Sequence, residues 1–288
     1  MTYFLGIDAG GSHCRARLVD HSGTVLGSGS AGPANAGIGL DALFAALEGV
    51  IAQALGEAGL GSEQARAVQI GMGIAGITRP GVREAIAGHD FGLGTVTCAT
   101  DAMIANLGAH RGADGAVLIV GTGSIAQLRV EGRDFAIGGY GFPISDEGSG
   151  AALGLSAMRH ALRALDGRTR RTALSEAVTE GFEHDTARAI AWMDHATPRD
   201  YGAFAPLVMA HAQQGDVIAR SIVEDAAGHI ERFIETVFER GAVRCALVGG
   251  LAPHMRPWLR ARTVAKLTDP LGDSLDGALL LAGFDPAG

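Results

Sequence analysis

Three short apolar runs in this chain each end in glycine, and that recurrence restricts the folds open to it. The central run goes from Ala116 through Val117, Leu118, Ile119 and Val120 into Gly121-Thr122-Gly123-Ser124. Apolar residues rich in β-branched types and bounded by glycine predict a fully buried strand that leaves its sheet through a tight turn. Such a turn lets the backbone approach a ligand, points amide N–H groups outward and, through Thr122 and Ser124, adds two hydroxyls. It therefore suits a phosphate group, although most glycine-rich strand exits are only turns. The first run is Tyr3 to Ile7, closed by Asp8 and turned by Ala9-Gly10-Gly11-Ser12, and the third is Ala246-Leu247-Val248 before Gly249-Gly250. Three exits of one kind suggest a nucleotide held between two halves.

The order of elements supports a duplication. Residues Cys14 to Asp20 roughly alternate, and His21-Ser22-Gly23 reads as a hairpin turn into Thr24-Val25-Leu26. The same strand–turn–strand–strand order recurs more loosely at 116–138, as an internal duplication of one phosphate-binding unit would give. Ser28 to Gly39, with Pro33, Asn35 and Gly37, reads as a loop in which Asn35 is a turn residue. The stripe Leu43, Leu47, Val50, Ile51, Leu55 predicts a helix from Leu40 to about Ala58.

Val68 to Ile74 reads as a strand, followed by a loop with Gly76, Thr78, Arg79 and Pro80 and a short helix from Val82 to Ala87. The strand Thr95 to Thr100 then delivers Asp101 to the head of a helix from Ala102 to Gly108. Asp101 has two readings there. It is an N-cap, worth about 1 kcal/mol, or a base at the carboxyl edge of a sheet, where open α/β folds bind their ligands.

Gly112 to Gly115 is the expected boundary between halves. Beyond the second hairpin comes Gly138-Gly139-Tyr140-Gly141-Phe142-Pro143-Ile144-Ser145-Asp146-Glu147-Gly148-Ser149-Gly150, before a helix starting near Ala151. One acid would suffice to complement a helix N-terminus, at about 0.3–1 kcal/mol. Two acids among glycines and aromatics favour a functional reading. Helical stripes follow near 152–165, 171–181, 185–194, 200–214 and 216–240, then a strand at 244–248, a loop at 267–272 and a last helix at 273–282. Gly277 in that helix stands where another backbone can pack closely. His160, His184, His195, His211 and His229 do not pair at metal spacing.

Length and charge bound the partners. The chain has 288 residues, 47% of them hydrophobic, which allows two domains with substantial cores. Its 44 glycines follow no short period, so they mark close turns and not low complexity. A net charge of −8 without a basic stripe disfavours nucleic acid and anionic membranes. An anion such as ATP then needs local amides and a metal ion. Cys14, Cys98 and Cys245 are odd in number and lack metal-site spacing, which reads as free thiols in a reducing cytosol. No basic n-region opens the chain, and no run reaches the roughly 18 apolar residues of a membrane helix. A cytoplasmic protein is expected.

The strand–DAGG–hairpin at residues 8–11, Asp101 at a strand end, VGTGS at 120–124, VGGLA at 248–252 and a small-residue helix at 276–282 resemble the actin-like ATPase superfamily of sugar kinases, acetate kinases and chaperone ATPases. The segment GGYGFPISDEGSG at 138–150 narrows the resemblance to the glucosamine and N-acetylglucosamine kinase branch of the BadF/BadG/BcrA/BcrD ATPase family. It covers essentially the whole chain.

The implied fold is α/β, with two duplicated actin-like (ribonuclease H-like) domains and a nucleotide cleft between them. Residues 1–114, joined by the C-terminal helix 273–288, would form one domain, and 115–272 the other, with a helical insertion. The implied activity is transfer of phosphate from ATP to the 6-hydroxyl of an amino sugar, glucosamine or N-acetylglucosamine, by a homodimer. The implied roles are as follows. Asp8 holds Mg2+ through water, while Gly10, Gly11 and Ser12 contact the β- and γ-phosphates. Asp101 takes the proton from the attacking hydroxyl. Gly121, Thr122 and Gly123 hold the transferring phosphoryl group and part of the sugar. Asn35 and Asp146 bind sugar hydroxyls, Gly139 and Tyr140 line the sugar pocket, and Gly249, Gly250 and Leu251 pack on adenosine.

Two departures bear on specificity. The cysteine-rich zinc motif of the repressor-type sugar kinases is absent. Tyr140 stands where the mammalian N-acetylglucosamine kinase resemblance implies tryptophan, so the pocket suits a free amino group drawn by Asp146 or Glu147. The rival enzyme reading is the ATPase activator of a CoA-ester dehydratase or reductase, which needs closely placed cysteines for an iron–sulfur cluster. A non-catalytic sensor of an amino sugar or nucleotide is the other alternative.

Overall fold

In the computed structural model, which describes residues 2–286, the apolar run at the start of the chain is β1 (Tyr3–Ala9). It pairs antiparallel with β2 (Cys14–Asp20), which sets Asp8 opposite Arg15. β3 (Val25–Ala31) adds antiparallel to β2, while β4 (Val68–Ile74) lies parallel to β1, and β5 (Val96–Ala99) parallel to β4. The sheet order is β3-β2-β1-β4-β5. On it packs α1 (Leu40–Glu57), which buries Leu43, Leu47, Val50, Ile51 and Ala54 against Leu5, Ile7, Ile70, Met72 and Ile74.

The first part of the stretch expected as a loop, Ser28 to Ala31, belongs to β3. The two glycines of this strand have a packing cause. A Cβ on Gly27 would lie 2.1 Å from the Ala54 carbonyl oxygen, and one on Gly29 2.2 Å from that of Val50. Bare residues let β3 lie directly on the backbone of α1.

Two short helices, α2 (Ser62–Ala65) and α3 (Val82–Gly88), precede α4 (Asp101–His110). The N-cap of α4 is Thr100, whose hydroxyl accepts from the Met103 N–H at 3.0 Å. The capping reading of Asp101 is thereby corrected: Asp101 is the first helical residue, and its neighbour does the capping.

The second sheet has the order β8-β7-β6-β9, formed by β6 (Gly115–Val120), β7 (Ser124–Val130), β8 (Arg133–Gly138) and β9 (Cys245–Val248). It repeats the β3-β2-β1-β4 arrangement of the first, with β6 and β9 parallel. Between β8 and β9 run α5 (Gly150–Leu165), α6 (Ala173–Glu180), α7 (Thr186–Met193), α8 (Pro198–Gly202), α9 (Ala205–Gln213) and α10 (Val217–Glu239). The span 200–214, expected as one helix, is divided between α8 and α9. Pro206 has no N–H to continue a helix and is tolerated in a first turn, so a new N-terminus forms there. Phe204, at the break, packs on Trp192 at a ring separation of 5.7 Å.

After the short α11 (Ala252–Met255) and α12 (Ala261–Val264), α13 (Ser274–Leu281) packs against α4, β1 and β4. The chain forms two compact units. One takes in the residues up to Gly115, 129–134 and those from Asp269 on, and the other 116–128 and 135–268. The expected limits lay at 114/115 and 272/273. No helix among the described residues is long and apolar enough to cross a membrane.

Arg17 on β2 fastens the head of α13, with Nη2 2.8 Å from Asp273 and Nη1 2.6 Å from Asp276. Asp273 is also the N-cap. Burial works against its charged form, but the Asp276 N–H and the Arg17 guanidinium outweigh that and hold its carboxyl below the usual value. Because these groups are partly solvated, Arg17→Ala should cost only about 1 kcal/mol. Urea unfolding at low and high salt checks this, since the loss should shrink as salt screens the pair. No loss at low salt would mean that packing alone holds α13.

Candidate active site

Six of the expected residues lie in the first unit, at the carboxyl edge of its sheet. Asp8, near the end of β1, accepts from Arg15 Nη2 at 2.8 Å, and its side chain is 17% exposed. In the turn that follows, the Gly10 N–H donates to the His13 carbonyl, and the Gly10 carbonyl accepts from the Ala34 N–H at 3.0 Å. Nothing stands within 4 Å of the position a Cβ on Gly11 would take, so the turn is open over Gly11-Ser12. Asn35 follows on the anchored Ala34 and forms a parallel bridge with Ala75. Its Oδ1 accepts from the Gly37 N–H at 2.8 Å and caps the 3-10 turn 36–38. The turn role and a ligand role are compatible, because that bond uses the oxygen of the carboxamide and leaves its N–H groups.

Asp101 enters the same edge from the end of β5. It is half-buried, and burial, opposed by its bond to the Ala102 N–H and reinforced by the charge of Asp8, pushes its pKa above the ordinary value of 3.8. A carboxyl at a sheet edge whose pKa is raised by burial is a candidate for proton transfer.

The remaining ten lie in the second unit, where three glycine segments meet at the ends of β6 and β9. The Gly121 N–H donates to the Gly123 carbonyl at 2.9 Å and closes the turn after β6. From the head of α5, the Gly150 and Ala151 N–H groups donate to the carbonyls of Gly121 and Thr122, at 2.8 and 3.1 Å. The turn after β9 crosses the same point. Gly249 has φ +102°, and a Cβ there would lie 2.4 Å from the Val120 carbonyl oxygen, which also accepts from the Leu251 N–H at 3.0 Å. Gly250 beside it is open.

The acidic turn joins this cluster. Asp146 is 9% exposed and takes φ +66°, and its carboxylate lies against Gly123, where a Cβ would meet Oδ2 at 3.0 Å. Burial, opposed by the Ser124 N–H and reinforced by the charge of Glu147, raises its pKa. The Glu147 carboxylate accepts from the Ser145 hydroxyl at 3.2 Å. Gly139, with φ +70°, sits against Ile125, and Tyr140 is 83% exposed.

Two contacts escaped sequence reasoning. The Asp8–Arg15 pair was legible in principle, because a hairpin turned at residues 10–13 sets the two opposite each other. The bonds of Ser124 to the acidic turn were not, since they span more than twenty residues. The three cysteines are free. Burial pushes the Cys14 and Cys245 thiols up to about 12, with the charge of Asp8 adding at Cys14, so neither supplies a ready thiolate. No cluster of three or more metal-ligating side chains exists among the described residues.

Known proteins match this chain along its length. It is 36% identical over 283 residues to the glucosamine kinase GspK of Vibrio cholerae, covering 98% of this chain and 96% of that one. An N-acetylmuramic acid/N-acetylglucosamine kinase of Clostridium acetobutylicum is 28% identical over 246 residues, or 83% of this chain and 80% of that one. A crystal structure from Chromobacterium violaceum, described as a candidate N-acetylglucosamine kinase, superposes with a TM-score of 0.92 at 32% identity, covering 98% and 99% of the two chains. The expected two-domain ATPase fold is therefore the fold of this chain. The profile of the BadF/BadG/BcrA/BcrD ATPase family matches residues 5–282, and the chain belongs to that family.

Proposed function

We propose that this protein is a kinase that transfers the γ-phosphate of ATP to the 6-hydroxyl of an amino sugar, glucosamine or N-acetylglucosamine. The observation that carries the proposal is Asp101. It stands at a carboxyl edge, leaves helix capping to Thr100, and has a pKa raised toward the range useful to a general base. The full-length likeness to a glucosamine kinase supports kinase activity and a small sugar substrate.

In this reading the Asp101 carboxylate accepts the hydroxyl proton as the sugar oxygen forms its bond to the γ-phosphorus and the bond to the ADP oxygen breaks. Phosphoryl transfer through a loose transition state asks mainly for positioning and charge neutralisation. Amides of Gly10, Gly11, Ser12, Gly121, Thr122 and Gly123 would hold the phosphates. Gly249, Gly250 and Leu251 would pack on adenosine, Asn35 and Asp146 would bind sugar hydroxyls, and Gly139, Tyr140 and Glu147 would line the sugar subsite. The donor set fits a Mg2+ that arrives with the nucleotide: Asp8 offers hard carboxylate oxygens, of which Oδ2 already accepts from Arg15 and Oδ1 is left for the ion or its water. Bound there, the ion would neutralise phosphate charge. The adjacent Asp146 and Glu147 carboxylates favour the ammonium of glucosamine over the N-acetyl group. A homodimer belongs to the same proposal, on the family resemblance alone.

The test is ADP release with ATP and Mg2+ in the presence of glucosamine, N-acetylglucosamine, glucose or no sugar. Strong stimulation by one amino sugar is expected. Sugar-independent hydrolysis, or none, would overturn the kinase reading in favour of an activator or a sensor.

A further inference from the structure

The acidic turn is anchored by Ser124, whose hydroxyl, expected from the sequence to serve a phosphate, is buried and bonded to that turn instead. Ser124, the first residue of β7, is 3% exposed and directly follows Gly123. Its hydroxyl donates to the Glu147 carbonyl oxygen at 2.8 Å, and its backbone N–H donates to Asp146 Oδ1 at 3.3 Å. One residue thus reaches both members of the acid pair, along the backbone of one and the carboxylate of the other.

The turn needs such an anchor. Asp146 occupies the left-handed region at φ +66°, which Asp tolerates better than most residues with a side chain, so contacts around the turn must select it over the ordinary conformations. A freed turn would relax toward an ordinary conformation and swing the carboxylate off Gly123. The N–H contact to Asp146 is long, so the shorter hydroxyl bond is the firmer of the two restraints. On the other side, the Ser149 N–H donates to the Asp146 carbonyl at 3.1 Å, which ties the turn to the head of α5.

We propose that Ser124 is a positioning residue: its hydroxyl fixes the acidic turn so that the Asp146 carboxylate faces the sugar, and it locks that carboxylate to the Gly121–Gly123 turn assigned to the phosphoryl group. The inference rests on the reading of Asp146 as a sugar ligand. Its consequence is that sugar binding and the geometry of the phosphate turn are set by one hydrogen-bonded unit. Removing the hydroxyl should therefore weaken sugar binding without removing any group that touches the sugar or the nucleotide.

Steady-state kinetics of Ser124→Ala, Ser124→Thr and Asp146→Asn test this in the full chain, using the amino sugar that most stimulates ADP release. ADP affinity and thermal melting are measured on each variant. Ser124→Ala should raise the sugar KM about tenfold, as loss of one well-made hydrogen bond does, with ADP affinity unchanged. Ser124→Thr keeps the hydroxyl and should restore a sugar KM near that of the parent. Asp146→Asn should raise the sugar KM at least as far as Ser124→Ala.

A raised KM in Asp146→Asn with an unchanged KM in Ser124→Ala would overturn the role of Ser124 and leave that of Asp146 standing. An unchanged KM in Asp146→Asn would remove Asp146 from the sugar site and the proposal with it. A lower melting temperature in Ser124→Ala with an unchanged sugar KM would assign Ser124 to the fold alone. Should Ser124→Ala fail to fold, Ser124→Cys keeps the volume with a weaker donor. It should then show the raised sugar KM, and a parental KM in that variant overturns the proposal.

Discussion

Asp101→Ala is expected to lose turnover by about 10²–10⁴-fold, the usual contribution of a positioned base, while the fold survives. Survival follows from the cap: Thr100 satisfies the first turn of α4, so Asp101 is not needed to start the helix. Asp101→Asn should lose turnover to a similar extent and also melt at a higher temperature. The sign comes from the raised pKa, caused first by burial and reinforced by Asp8. A carboxyl whose folded-state pKa exceeds its unfolded value favours folding at low pH. That contribution is lost as pH rises through the folded value. At neutral pH the ionised Asp101 therefore costs stability, and an uncharged amide of the same shape removes the cost. This is the exchange of stability for activity expected of a catalytic group. The parent enzyme should lose turnover on the acid side with an apparent pKa above 3.8. Parental turnover in either variant would refute Asp101 as the base, and an unchanged melting temperature in Asp101→Asn would refute the electrostatic account.

What was legible in the sequence divides by range. Strands whose side chains alternate or form short apolar runs were read closely: Cys14–Asp20 and Val68–Ile74 have the expected limits. The stripe of α1 was read for the same reason, since a buried face repeats at helical spacing. Errors arose where a residue answers to something far away in the chain. Gly27 and Gly29 are signals of a helix backbone lying across them, and no local rule distinguishes that cause from a loop. Thr100 and Asp101 are both good capping residues, and one step of register decides which caps. Within the candidate site, the glycine turns and the acid pair were visible because glycine and adjacent carboxylates are poorly explained by packing. The hydrogen bonds that assemble them, from Ser124 to the acidic turn and from α5 to Gly121 and Thr122, are tertiary and leave no mark in composition or spacing.

The second large effect is expected at Gly277, where the same long-range logic can be tested as a contest between two terms. Gly277 lies inside α13, and replacing an interior helical glycine by alanine ordinarily gains up to about 1 kcal/mol. At this position a Cβ would lie 1.8 Å from the Ile104 carbonyl oxygen and 2.6 Å from the Gly108 nitrogen. The contact is reciprocal, because a Cβ on Gly108 would lie 1.8 Å from the Asp273 carbonyl oxygen. Two helix backbones therefore touch, and neither has a side-chain tip that could move aside. On its other side α13 rests on the sheet, where a Cβ on Gly71 would lie 2.0 Å from the Ala278 carbonyl oxygen. The helix has no direction in which to retreat without losing a packed face. Overpacking of this kind typically costs 1–3 kcal/mol and occasionally more, and with rigid backbone as the obstacle about 3 kcal/mol is expected for Gly277→Ala. The control is Gly228→Ala in α10, where nothing stands within 4 Å of the added methyl and the propensity gain should be seen alone. Urea unfolding of the two variants should thus shift in opposite directions from the parent. A neutral or stabilising Gly277→Ala would show that α13 can slide on α4, and that the small residues of the last helix are not there for close backbone contact.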